Sequence, residues 1–138
     1  MKLITFSVKG IVSMGNKVLL IKRSLNHKYC PGCWELPGGK IETLNFKKDF
    51  IRELKEEAGL KATRVVYRGI LIRRTALYKT ILGWRAWHCS FFVAAPGASQ
   101  AAKLSQEHTD FGWFTPGQVK KMVITPETKY ALGKYNSK

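Results

Sequence analysis

The segment Asp49-Phe50-Ile51-Arg52-Glu53-Leu54-Lys55-Glu56-Glu57-Ala58-Gly59-Leu60 decides how this chain is organised. At about 100° per residue, Phe50, Ile51, Leu54 and Ala58 fall on one side of a helix, the side that packs on a sheet. Asp49, Glu53, Glu56 and Glu57 fall together on another side, within an arc of about 100°. Like charges at i, i+3 and i+4 repel, so such a face costs stability unless something offsets it. Lys55 lies off this face and Arg52 at its edge. On the helix alone two readings stand open: a solvated acidic surface, or a seat for a divalent cation. Mg²⁺ prefers oxygen ligands and bridges carboxylates to substrate phosphates.

Working outward, the pattern predicts a helix from about Asn45 to Ala58, with Gly59 in the C-cap position. Pro37-Gly38-Gly39 is a tight turn just upstream. Glycines let backbone approach a ligand closely, and their carbonyls can join a metal shell. Arg52 beside the acidic face can hold a carboxylate in a paired geometry. Leu3 to Val12 reads as a strand, Gly15-Asn16 as a turn, and Lys17 to Arg23 as a second strand of a hairpin. Ser24 to Gly32 is a polar loop and Trp34-Glu35-Leu36 a short extended piece. Thr63 to Leu77 is one bent strand or two. Leu82 to Ala94 is a buried strand, 96–100 a loop, and Phe111 to Phe114 a short strand. Thr115-Pro116 starts a short helix over Gly117 to Met122, and Thr125-Pro126-Glu127 starts a last one. Strands and helices mix without regular βαβ alternation, which predicts an α+β fold in one domain spanning 1–138.

The 138 residues carry 24 Lys and Arg against 9 Asp and Glu, a formal charge of +15. Four of those nine acids crowd the one helix face, in a chain that is otherwise basic. The surplus predicts attraction to polyanions, either nucleotides or nucleic acid. No run of about 18 apolar residues exists, so no membrane span is expected. The first ten residues alternate like a strand and lack a signal-peptide pattern, so a cytoplasmic protein is expected. Three cysteines are too few for a disulfide framework. Cys30-Pro31-Gly32-Cys33 has the spacing of half a zinc site or a redox pair. With no second such pair, two reduced thiols flanking a Pro-Gly turn is the favoured reading.

Leu36-Pro37-Gly38-Gly39-Lys40-Ile41-Glu42 together with Arg52-Glu53-Leu54-Lys55-Glu56-Glu57-Ala58-Gly59-Leu60 resembles the Nudix box, G-x5-E-x7-R-E-U-x-E-E-x-G-U, where U is aliphatic. The second half matches at every specified position. The resemblance extends over most of the chain and implies the Nudix, MutT-like fold: a mixed β-sheet between helices. One departure stands out. Leu44, counted back from Arg52, or Asn45, counted forward from Gly39, occupies the place of the first box glutamate. The loop is one residue short and carries no acid there.

The resemblance implies Mg²⁺-dependent hydrolysis of a pyrophosphate linkage in a nucleotide-like substrate, with Mn²⁺ as a substitute ion. Glu53, Glu56 and Glu57 are the expected metal ligands, with the Gly38 carbonyl as an addition. Arg52 is expected to orient Glu53. Glu53 and Glu107 are the two candidates for general base. Arg23, Gly38, Gly39 and Lys40 are candidate substrate contacts, and Tyr29, Trp34 and Trp87 are aromatics that could stack a base or fill the core. The alternative is a weak or inactive module of the same fold that binds RNA or a nucleotide. The +15 charge and the missing box glutamate favour that alternative.

Overall fold

The computed structural model describes residues 4–80, 83–96 and 108–135. In chain order the elements are β1 (Ile4–Met14), β2 (Lys17–Arg23), β3 (Trp34–Glu35), β4 (Gly38–Lys40), α1 (Phe46–Ala58), β5 (Ala62–Thr80), β6 (Gly83–Pro96), β7 (His108–Phe114), α2 (Pro116–Val119) and α3 (Pro126–Tyr135). The expected α+β class is found.

The strands form one mixed sheet in the order β3-β2-β1-β6-β5, with β4 added against β1 and β7 against β2. β1 is the hub. It runs parallel to β6 from Ile4 against Ala86 to Val12 against Ala94. Its other edge is divided: Ser7, Val8 and Lys9 pair antiparallel with Lys40, Gly39 and Gly38. Ser13 and Met14 pair with Val18 and Lys17 of β2. Between these two partnerships the Gly10 N–H donates to the Pro37 carbonyl at 3.1 Å. The sheet forks there, and the box turn fills the fork.

Each face of the sheet buries its own apolar set, as the period-2 alternation of strands requires. Val8, Val12, Leu19, Ile21, Phe92 and Ala94 pack on Phe50, Leu54 and Ala58 of α1. Phe50 and Phe92 stack with ring centroids 5.5 Å apart and planes 8° from parallel. Ile11, Val18, Leu20, Leu36, Cys89 and Phe91 pack on Ala131 and Tyr135 of α3. Helices therefore cover both faces. Ile51, read as part of the packing stripe, is partly buried at its edge.

Several boundaries differ from the sequence reading. β5 is a single strand with register shifts, at Thr63/Val66 and Tyr67/Gly69 among others, so one irregular strand replaces the alternative of two. β7 starts at His108, three residues earlier than expected, because β2 supplies it a full antiparallel partner. α2 is only four residues long, capped by Thr115, whose hydroxyl accepts the Gln118 N–H at 3.3 Å while Gln118 returns a bond to the Thr115 N–H. Among the described residues no helix is long and apolar enough to cross a membrane.

Candidate active site

α1 presents the acidic row, and its ends are fixed locally. Asn45 caps it, accepting the Lys48 N–H at 3.0 Å. Gly59 closes it, with its N–H on the Lys55 carbonyl at 2.9 Å. Asn45 is thus the helix start, while Leu44 before it stands 97% exposed.

Asp49 does not join the acidic row as the wheel placed it. It is buried, and its Oδ2 accepts the N–H of Glu42 at 3.2 Å, the N–H of Thr43 at 3.0 Å and the Thr43 hydroxyl at 3.1 Å. The box loop folds back over the first turns of α1, and Asp49 is the acceptor that holds it. Burial works to raise its pKa, but the bonds from Thr43 and Glu42 and the nearby Arg52 charge outweigh this and hold it below the ordinary value.

The three expected metal ligands occupy different environments. Glu57 is buried, and its Oε1 accepts the backbone N–H of Gly38 at 2.8 Å. Glu53 is partly buried against Gly39: a Cβ on that glycine would lie 2.6 Å from the Glu53 carboxyl. Burial pushes the Glu53 carboxyl up, and its neighbours Glu56 and Glu42 push the same way, against the pull of Arg52. Glu56 is exposed. Gly38 has φ +150°, and a Cβ there would lie 2.0 Å from the Val8 carbonyl oxygen. Only glycine allows the turn to lie this close to β1.

Arg52 is more central than its place on the wheel suggested. Its Nη1 donates to Glu53 Oε2 at 3.2 Å and to Glu56 Oε1 at 2.9 Å. Nη2 reaches the Lys40 carbonyl at 3.4 Å. Asp49 and Glu42 lie 3.6 Å from the same guanidinium. One fixed cation thus offsets part of the repulsion along the acidic row.

Among the described residues, no three His, Cys, Asp or Glu side chains already converge on a metal position. The donor chemistry nonetheless fits a divalent cation: the carboxylates of Glu53, Glu56 and Glu57, graded in exposure, stand beside a glycine turn. Mg²⁺ keeps several of its waters and needs only one or two direct carboxylates.

The remaining candidates divide. Lys40 is exposed next to Gly39. Arg23 is engaged within the protein: Nη1 on Glu35 Oε1 at 2.8 Å, Nε on the Tyr29 carbonyl at 2.9 Å, and Nη2 at 2.8 Å from His27 Nδ1. The Tyr29 hydroxyl donates to Glu127 at 2.7 Å, and Trp34 packs edge-on against Phe114 with centroids 5.1 Å apart. Glu107 and the side chain of Trp87 lie outside the described residues.

Sequence reasoning missed a second charged cluster behind the turn. Lys9 of β1 is buried, with Nζ 3.1 Å from Glu35 Oε1 and 3.2 Å from the Leu36 carbonyl. Burial acts to lower its pKa, but Glu35 first, then Glu57, Cys89 and Glu127, raise it overall and keep it charged. Thr128 of α3 accepts the Leu36 N–H at 3.1 Å. A lysine in the middle of a strand that otherwise reads as core was the available signal.

A NUDIX domain family model matches residues 2–132. The CTP pyrophosphohydrolase of Escherichia coli (strain K12) is 30% identical over 120 residues, covering 86% of this chain and 82% of that protein. An ADP-ribose pyrophosphatase of Methanocaldococcus jannaschii is 46% identical over 55 residues, covering 39% of this chain and 31% of that protein. Among solved structures, a MutT NUDIX hydrolase from Burkholderia pseudomallei superposes with a TM-score of 0.80 at 24% identity, covering 96% of this chain and 98% of that one. With the box on α1, the glycine turn in the fork of the sheet and these matches along nearly its whole length, the chain belongs to the Nudix hydrolase family.

Proposed function

We propose that this protein hydrolyses a pyrophosphate linkage in a nucleoside triphosphate or another nucleoside diphosphate derivative, with Mg²⁺ held by Glu53, Glu56 and Glu57. The observation that carries this reading is the contact between the acidic helix and the glycine turn, made through Glu57 and Gly38 on one side and Glu53 and Gly39 on the other. Mg²⁺, when bound, neutralises charge on the phosphates and lowers the pKa of a water. The protein's own part is positional. Arg52 fixes the Glu53 carboxylate. Gly38 and Gly39 let the turn lie against Val8 and against the Glu53 carboxyl, and the Gly38 carbonyl would be a further oxygen ligand. Lys40 offers a charge to the phosphates. Glu53 and Glu107 remain the candidate general bases.

The test is a panel of nucleoside triphosphates, dinucleotides and nucleotide sugars with Mg²⁺ or Mn²⁺. CTP and ADP-ribose head it, since the curated relatives are named for them. A nucleoside monophosphate is expected in each case, with pyrophosphate from a nucleoside triphosphate and with a second phosphate ester from ADP-ribose, a dinucleotide or a nucleotide sugar. Inactivity of folded protein across the panel defeats the proposal.

The exposed Leu44 in place of an acid, with the +15 charge, favours a second reading: a module that binds RNA or a nucleotide without cutting it. That reading requires a steep fall of nucleic-acid affinity with salt. Absence of binding at moderate salt removes it.

A further inference from the structure

We propose that Cys30 and Cys33 form a redox site, a vicinal dithiol that closes to an intramolecular disulfide by exchange with a small-molecule disulfide and reopens with a dithiol reductant. The local sequence builds the geometry. Cys30-Pro31-Gly32-Cys33 is a turn in which the Cys33 N–H donates to the Cys30 carbonyl at 3.2 Å and Gly32 has φ +75°. Proline second and a left-handed glycine third specify a type II turn, which holds its first and last Cα within about 7 Å. That span overlaps the separation of about 4.4–6.8 Å that a disulfide requires. The side chains face each other, with the Cys33 thiol donating to Cys30 Sγ at 2.7 Å. Closure therefore asks for rotation of side chains and little of the backbone.

The two thiols differ in access. Cys30 is partly exposed and Cys33 is buried. A disulfide arriving from solvent meets Cys30, and Cys33 waits behind it. Among the described residues no third His, Cys, Asp or Glu joins the pair as a metal ligand, so the half-site for zinc stays a pair. Cys89, buried in the core on β6, provides an internal control in the same molecule.

The exchange balances. The Cys30 thiolate attacks one sulfur of RSSR, the S–S bond breaks, and RS⁻ leaves to take up a proton. The Cys33 thiol gives its proton to solvent and attacks Cys30 Sγ. The Cys30–Cys33 bond forms, and the second RS⁻ leaves and is protonated. Two electrons pass from the protein dithiol to RSSR, yielding two RSH. Burial pushes the Cys30 thiol up to about 12, so the attack is slow at neutral pH. The loop that would be locked is tied to the buried charge cluster, because the Arg23 N–H donates to the Cys33 carbonyl at 2.8 Å.

The experiment treats the native full chain with excess oxidised glutathione at about pH 8.5 and reads the intact mass and peptide map. Expected are loss of two hydrogens, a Cys30–Cys33 linked peptide, no modification of Cys89, and reversal by dithiothreitol. In Cys33→Ser the reaction should stop at a glutathione adduct on Cys30. A lasting adduct on Cys30 of the unmutated chain with no internal link overturns the proposal, as do two thiols that stay unreacted. Should Cys33→Ser fail to fold, phenylarsine oxide on the native chain replaces it. One arsenic should protect both thiols from iodoacetamide, and lack of protection overturns the proposal. None of these readouts uses hydrolysis, so the result stands apart from the proposed activity.

Discussion

Glu57 accepts the backbone N–H of Gly38 at 2.8 Å, which makes the last turn of α1 and the start of β4 one unit. Two adjacent glycines serve this unit differently, and substitution separates them. In Gly38→Ala the new Cβ meets the Val8 backbone carbonyl at 2.0 Å in a left-handed conformation. Neither obstacle can move aside, so a loss of about 3 kcal/mol of unfolding free energy is expected by urea denaturation.

In Gly39→Ala the Cβ meets only the end of the Glu53 side chain, at 2.6 Å. That chain can swing away. A stability change below about 1 kcal/mol is expected, with hydrolysis reduced about tenfold or more because Glu53 is displaced. Equal activity in the variant and the parent would show that Glu53 position does not matter.

Glu56→Gln and Glu57→Gln should each lower turnover by about a hundredfold or more. Glu56 is exposed, so its variant should melt within about 0.5 kcal/mol of the parent. Steady-state rates alongside thermal melts make the comparison. Full activity in both variants contradicts the metal assignment.

Lys9→Met removes a buried cation from beside Glu35, whose carboxylate also pairs with Arg23. Breaking one side of a buried pair leaves an undercompensated charge, and a loss of about 3 kcal/mol is expected in chemical denaturation. The double variant Lys9→Met with Glu35→Gln should recover part of it. No recovery would mean that packing, not charge, holds Lys9 in place.

Asp49 gives the pH dependence. Its folded pKa lies below the ordinary carboxylate value, so its stabilisation is complete above about pH 4 and is lost as pH falls through the folded value. Asp49→Asn should therefore be less stable at neutral pH and show a shallower acid decline. Parallel denaturation curves at several pH values below neutrality measure this. The same slope in both proteins refutes it.

Most of the fold and the heart of the site could be read from residue order, because both depend on local period. Phe50, Leu54 and Ala58 repeat at helical spacing, and the unbroken apolar run Val18 to Ile21 marks a strand covered on both faces. Gly38 and Gly39 sit where a close approach is needed. What escaped depends on how side chains reach and loops fold, and on contacts between separate elements. Asp49 shares a wheel sector with Glu53, yet the loop at Glu42 and Thr43 folds over it and claims its carboxylate. Arg52 looked peripheral because a wheel shows direction and not reach, while its long side chain gathers Glu53 and Glu56. Lys9, Glu35 and Glu127 lie on three separate elements, and nothing in their spacing announces that they meet. The length of β7 followed from its partner β2 and not from its own composition.

The fork in β1 has a mechanical consequence. β4 and β2 share one edge of that strand and meet where the Gly10 N–H bonds the Pro37 carbonyl, so the glycine turn cannot slide along β1 without giving up sheet hydrogen bonds. A substitution that loosens this junction would therefore be felt in both pairings of β1 at once, and through Glu57 in the last turn of α1.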